Sequence, residues 1–122
     1  MAKIDIPFRD GFRRAMLAGD KDCTSRNKRY GDVGDTFEKF GATFEIDAQE
    51  RSTLEDVALN LFREEGCTSP DHFIAVWKAI HPRAGWTPEK LVWVHYFKRV
   101  VGERARASQR SAASQSSKGG EA

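Results

Sequence analysis

Hydrophobic positions change their spacing several times along the chain. Ile4 and Ile6 alternate with polar neighbours, the pattern of a short strand over residues 3–7. Phe8, Phe12, Ala15 and Met16 then recur at helical spacing, which predicts a helix over about 8–18 with one apolar face. Gly11 weakens it by roughly 1 kcal/mol relative to alanine, and Gly19 suits its left-handed stop. Residues 27–35 are polar and contain Gly31 and Gly34, a loop. Thr36–Lys39 and Ala42–Ala48 read as strands around a turn at Phe40-Gly41. Ala42, Phe44, Ile46 and Ala48 keep period two, and Asp47 to Arg51 reads as a polar exit.

Ser52-Thr53-Leu54-Glu55 has the form of a capping box. Leu54, Val57, Ala58, Leu61 and Phe62 follow on one helical face, predicting a helix over 53–65 stopped by Gly66. Ser69-Pro70 supplies a cap and a first-turn proline for a helix over 70–81, apolar at Phe73, Val76, Trp77 and Ile80 and ended by Pro82. Arg83 to Glu89 is a loop holding Trp86. Leu91 to Val101 is apolar on both faces, as in a central, fully buried strand. Strands, two helices and a strand make an α+β domain. From Gly102 the composition turns to Ser, Ala, Arg, Gly and Gln, a disordered tail. The expected division is therefore a domain over 1–101 and a tail over 102–122.

Charge sharpens this division. The chain holds 20 Lys and Arg against 18 Asp and Glu; the tail takes four of the former and two of the latter, leaving 16 and 16 in the body. A neutral body favours a pocket for a small, weakly charged ligand over a long nucleic-acid track, although Arg26-Asn27-Lys28-Arg29 and the tail arginines keep RNA as an alternative partner. No apolar run is long enough to span a membrane, and the N-terminus lacks a signal-peptide apolar region, so a cytoplasmic protein is expected. Cys23 and Cys67 lie far apart and have no ligand spacing with His72, His81 or His95, so neither a metal site nor a cofactor is expected. Cys23 and His95 read most simply as core residues.

The stretch with most chemistry is Gly19-Asp20-Lys21-Asp22-Cys23-Thr24-Ser25-Arg26. A hydroxyl near an amine that can lose its proton is a nucleophile–base pair, and an arginine two residues on can hold an anionic or carbonyl oxygen. Strand geometry opposes the pairing, because Lys21 and Thr24 face opposite sides unless the segment turns. The bland reading is a helix end running into an edge strand with Lys21 and Arg26 solvated.

Gly-x-Lys-x-x-Thr-x-Arg after a helix resembles the signature of the ASCH family, a branch of the PUA-like β-barrels. Gly34-Asp35 before Phe37, Glu64-Glu65-Gly66 followed by Ser69 and a helix bearing Phe73 and Trp77, and the closing Val92-Trp93-Val94-His95-Tyr96-Phe97 resemble the family's other blocks, over about residues 4–100. The resemblance implies a small PUA-like β-barrel with flanking helices. It further implies a metal-independent amidohydrolase acting on N4-acetylcytidine or a related acylated nucleoside, with Lys21, Thr24 and Glu65 as the catalytic set. In that scheme Thr24 attacks, Lys21 takes its proton once desolvation lowers its pKa, and Glu65 orients Lys21 or passes a proton to the leaving amine. Glu64 is the rival of Glu65. Arg26, Tyr30 and Trp86 are the expected substrate-binding residues, whereas Trp77 and Trp93 read as core. The alternatives within the family are a non-catalytic RNA-binding module and a ribonuclease using the same lysine and a nearby tyrosine.

Overall fold

The computed structural model describes residues 2–100. The expected tail over 102–122 lies outside the described residues. The elements are β1 (Lys3–Ile4), a 3-10 turn at Asp10–Phe12, α1 (Arg13–Ala18), β2 (Cys23–Arg26), β3 (Thr36–Lys39), β4 (Ala42–Thr53), α2 (Leu54–Asn60), α3 (Pro70–Ile80) and β5 (Leu91–Val100). One sheet runs in the order β1-β3-β4-β5-β2. β1 pairs with β3 in parallel, and the other ladders are antiparallel. The fold class is α+β, as expected.

The sheet is not closed, so the barrel is not formed by the described strands. β1 and β2 are its two edges. β1 contributes only two residues to a ladder, and Pro7, just beyond it, has no N–H to donate. A side chain links the two edges instead: Arg26 Nη2 donates to the Pro7 carbonyl at 2.6 Å.

Each face of the sheet carries a core. Alternation along β5 sends Val92 and Val94 to one face, where they pack with Cys23, Leu54, Val57, Phe73 and Trp77 under α2 and α3. It sends Phe97 to the other, against Ile6, Met16, Phe37, Phe44 and Ile46. The Phe37 and Phe44 rings stack at 5.3 Å, and Phe97 meets both edge-on at 5.5 Å. β5 is central, but the expectation of full burial is corrected at its ends, since Leu91 is 53% exposed and Lys98 and Arg99 face solvent.

Three further boundaries differ from expectation for local reasons. β4 continues through Gln49, Glu50 and Arg51, which read as an exit, because a bulge between Ile46 and Ala48 resets the register. α2 ends at Asn60, where Leu61 leaves helical geometry at φ −125°, ψ 12°. Its N-cap is Thr53, accepting from the Asp56 N–H at 3.1 Å, one residue later than the box suggests. α1 starts at Arg13 because Arg9 is extended and only a 3-10 turn intervenes. The cap of α3 is as expected, with Ser69 Oγ accepting from the His72 N–H at 3.0 Å and Pro70 in the first turn.

Candidate functional site

The residues after α1 are held by backbone hydrogen bonds from both sides. Gly19 takes φ 87° and closes the helix. The N–H groups of Asp20 and Lys21 then donate to the Ala15 carbonyl, and those of Asp22 and Cys23 donate to the Glu64 carbonyl at 2.9 and 3.1 Å. The second pair docks the turns after α2 onto the start of β2, and so brings residue 65 to residue 21.

Lys21 and Glu65 meet as a buried ion pair. Nζ lies 3.1 Å from Oε1, with the two side chains 2% and 7% exposed. Nζ also donates to the carbonyls of Cys23 (2.9 Å) and Glu65 (2.8 Å). An ammonium has three N–H donors, and each has an acceptor here. The Phe12 ring lies 4.5 Å away. Burying two charges costs several kcal/mol per ion before their attraction offsets it, so an arrangement of this kind calls for good geometry or a use.

Gly66 makes the arrangement possible. It sits at φ 88°, and a β-carbon added there would lie 3.0 Å from Lys21 Cβ and 3.4 Å from both Cγ and Cδ. Only glycine lets the lysine stem cross at this point without strain. Gly66→Ala is therefore expected to destabilise the fold by about 1–3 kcal/mol, read as a lowered denaturation midpoint; an unchanged midpoint would mean that the stem moves aside freely.

The second oxygen of Glu65 is also occupied: Ser25 Oγ donates to Oε2 at 2.6 Å. Ser25 pairs with Val94, and its neighbours Thr24 and Arg26 project to the other side of β2. Thr24 Oγ1 accepts from Arg26 Nε at 3.0 Å. No hydrogen bond joins Lys21 to Thr24, so the pairing expected from the motif is not formed. Lys21 precedes β2, and its three donors go to Cys23 and Glu65 instead.

Arg26 lies over the Phe8 ring at 4.8 Å and the Tyr30 ring at 5.5 Å. Burial pulls its guanidinium below the usual value, opposed by the Tyr30 phenol and the Glu65 carboxylate. Tyr30 is placed from behind. His95, fully buried, accepts from the Tyr30 N–H through Nε2 at 2.9 Å, and Gln49 Nε2 donates to the carbonyls of Tyr30 and Gly31 at 3.1 and 3.0 Å. With Nε2 accepting, the ring proton sits on Nδ1, which faces the Thr24 carbonyl at 3.3 Å.

Burial lowers the His95 pKa from 6.5. The unfolded chain then takes up a proton below about pH 6.5 that the folded chain refuses, so stability falls as pH drops through that value. His95→Asn cannot titrate and is expected to flatten the decline between pH 7 and 5. Asp22, raised chiefly by burial, contributes the opposite slope, but equally to both proteins. Parallel pH–stability curves for the two proteins would contradict the assignment.

These side chains line one cavity of ≈ 590 Å³. Its polar half includes Lys21, Thr24, Ser25, Arg26 and Glu65, with Tyr30 beside them; its apolar half includes Phe8, Phe12, Phe73, Trp77 and Ile80. Glu65, 5% exposed, reaches the cavity, and Glu64 does not line it. Trp86 does not line it either: its ring packs edge-on to Phe73 at 6.3 Å. The tryptophan at the cavity is Trp77, which sequence spacing assigns to the core and which also serves it, stacked on His81 at 4.0 Å. Ser25, which the motif does not single out, also lines the cavity; its signal is parity, two residues after Cys23 and four after Lys21. Burial pushes the Cys23 thiol up, away from the reactive range. Among the described residues no group of three or more His, Cys, Asp or Glu is placed to hold a metal ion, and no helix is long and apolar enough to cross a membrane.

No family model matches the chain, and no curated protein matches it. Solved structures do. An ASCH domain from Lactobacillus crispatus JV V101 aligns over 80% of this chain and 79% of its own, with TM-score 0.55 and 16% identity. Protein EF3133 from Enterococcus faecalis V583, of family DUF984, aligns over 81% and 78%, with TM-score 0.55 and 14% identity. Hypothetical protein PH0355 aligns over 81% and 96%, with TM-score 0.58 and 13% identity. The open sheet, its helices and these neighbours together give the chain the fold of the ASCH domain.

Proposed function

We propose that the chain is a hydrolase that removes the acyl group from an N4-acylated cytosine nucleoside such as N4-acetylcytidine. The observation that carries this reading is the buried Lys21–Glu65 pair opening on a cavity beside two hydroxyls. A charged pair, hydroxyls and an arginine on one wall supply what amide hydrolysis needs: a nucleophile, a proton carrier and donors for the developing oxyanion. The aromatic wall of Phe8, Phe12 and Trp77 suits a flat base, and Arg26 and Tyr30 stand where its polar edge would bind. In this reading Lys21, Thr24 and Glu65 form the catalytic set. Incubation with N4-acetylcytidine should shift its ultraviolet spectrum to that of cytidine; a spectrum unchanged by excess protein would refute the activity.

A second reading, an RNA-binding module, is favoured by cations stacked on aromatic rings. Arg51 and Arg29 lie 4.9 and 5.8 Å from the Trp93 ring, and Lys28 lies 4.8 Å from Tyr30. Bases stack on such platforms. Binding of an unmodified RNA oligomer that is tight and resistant to salt, without turnover of the nucleoside, would select this reading.

A further inference from the structure

The two hydroxyls of the cavity stand in different company. Thr24 Oγ1 accepts a hydrogen bond from Arg26, and no acceptor among the described residues takes its proton. Ser25 Oγ gives its hydrogen to Glu65 Oε2 at 2.6 Å, while Glu65 Oε1 is held by Lys21 Nζ at 3.1 Å. Ser25, Glu65 and Lys21 are 7%, 5% and 2% exposed, so little water competes for these bonds. A hydroxyl bonded to a base that is itself oriented by a third group is the arrangement that activates a nucleophile. Thr24 has no such base.

We propose, resting on the hydrolase reading above, that Ser25 is the attacking nucleophile, Glu65 its general base and Lys21 the group that orients Glu65. Ser25 Oγ adds to the acyl carbon as its proton passes to Glu65 Oε2. The carbonyl oxygen becomes an oxyanion as the tetrahedral intermediate forms. Collapse breaks the acyl C–N bond, and the proton on Glu65 goes to the leaving exocyclic nitrogen. Water then attacks the Ser25 ester, gives its proton to Glu65, and the acid leaves as the proton returns to Ser25 Oγ. Lys21 keeps its protons throughout, since all three are committed to acceptors. Strand parity explains why this set forms: Cys23 and Ser25 share the side of β2 opposite Thr24 and Arg26.

The test uses the full chain and p-nitrophenyl acetate, an ester whose reaction does not depend on the nucleoside being correct. Wild type quenched in acid should carry one acetyl group on the peptide containing Ser25, resolved from Thr24 by fragmentation. Ser25→Ala should turn over the ester at least about 100-fold more slowly, and Ser25→Cys should accumulate a thioester at the same position even if Ser25→Ala fails to fold. Acetyl found on Thr24, or Ser25→Ala active at the wild-type rate, overturns the proposal, as does the lack of an adduct at position 25 in both wild type and Ser25→Cys. Labelling of Ser25 by the ester while N4-acetylcytidine survives intact supports Ser25 as nucleophile and removes acylated cytidine as the substrate.

Discussion

Replacing Lys21 with methionine is expected to destabilise the chain by about 3–5 kcal/mol, the cost of leaving one partner of a buried ion pair alone. Three acceptors lose their donor at once: the carbonyls of Cys23 and Glu65 and the carboxylate oxygen Oε1. For a domain of this size the melting temperature should drop by more than about 10 °C. The bland reading of the motif leaves Lys21 solvated; at 2% exposure it is among the largest fully buried side chains. Pairing Lys21→Met with Glu65→Gln should recover part of the loss, because no unpaired charge then remains. A double-mutant cycle with a coupling energy near zero would mean that the ion pair is incidental to stability.

Glu65→Gln alone should lower kcat for N4-acetylcytidine by roughly 100- to 10,000-fold while leaving KM within a few-fold, since an amide still accepts from Ser25 but cannot take its proton. Glu65 contributes one end of a polar wall, and in the proposed reading the aromatic wall and Arg26 contact the ligand. A change in KM with kcat preserved would make Glu65 a binding residue, and an unaffected enzyme would take it out of the chemistry. Part of any loss reflects stability, because Lys21 then keeps its charge with only neutral acceptors. The comparison therefore belongs well below the variant's melting temperature.

The elements with regular spacing were legible from the chain alone. α3 announced itself by Ser69-Pro70 and the apolar positions Phe73 and Trp77, and the first half of β4 by Ala42, Phe44 and Ile46. What escaped was set by single residues that break period. The bulge between Ile46 and Ala48 turns a polar run into the second half of β4. Leu61 stops α2 although the hydrophobic face continues through it. Closure into a barrel depends on pairing between β1 and β2, far apart in sequence, and no local pattern reports on that.

At the site, the motif marks a segment that lines the cavity and leaves its internal wiring open. Lys21, Thr24, Arg26, Tyr30 and Glu65 line one cavity, but the hydroxyl attached to the Lys21–Glu65 pair is that of Ser25. Period two in β2 separates Thr24 from Ser25, and the choice between them follows from where the turn after α2 docks. That docking rests on Glu64 only through its backbone carbonyl, which accepts from Asp22 and Cys23. Trp86, expected among the substrate-binding residues, packs its ring against Phe73 instead.

Hydrolysis at this cavity is tested most directly by following both products of N4-acetylcytidine in one sample by nuclear magnetic resonance, with wild type and Glu65→Gln side by side. Acetate and cytidine are expected to appear in equal amounts with wild type and hardly at all with the variant. N4-acetylcytidine recovered intact from wild type, bound or free, would contradict the hydrolase reading.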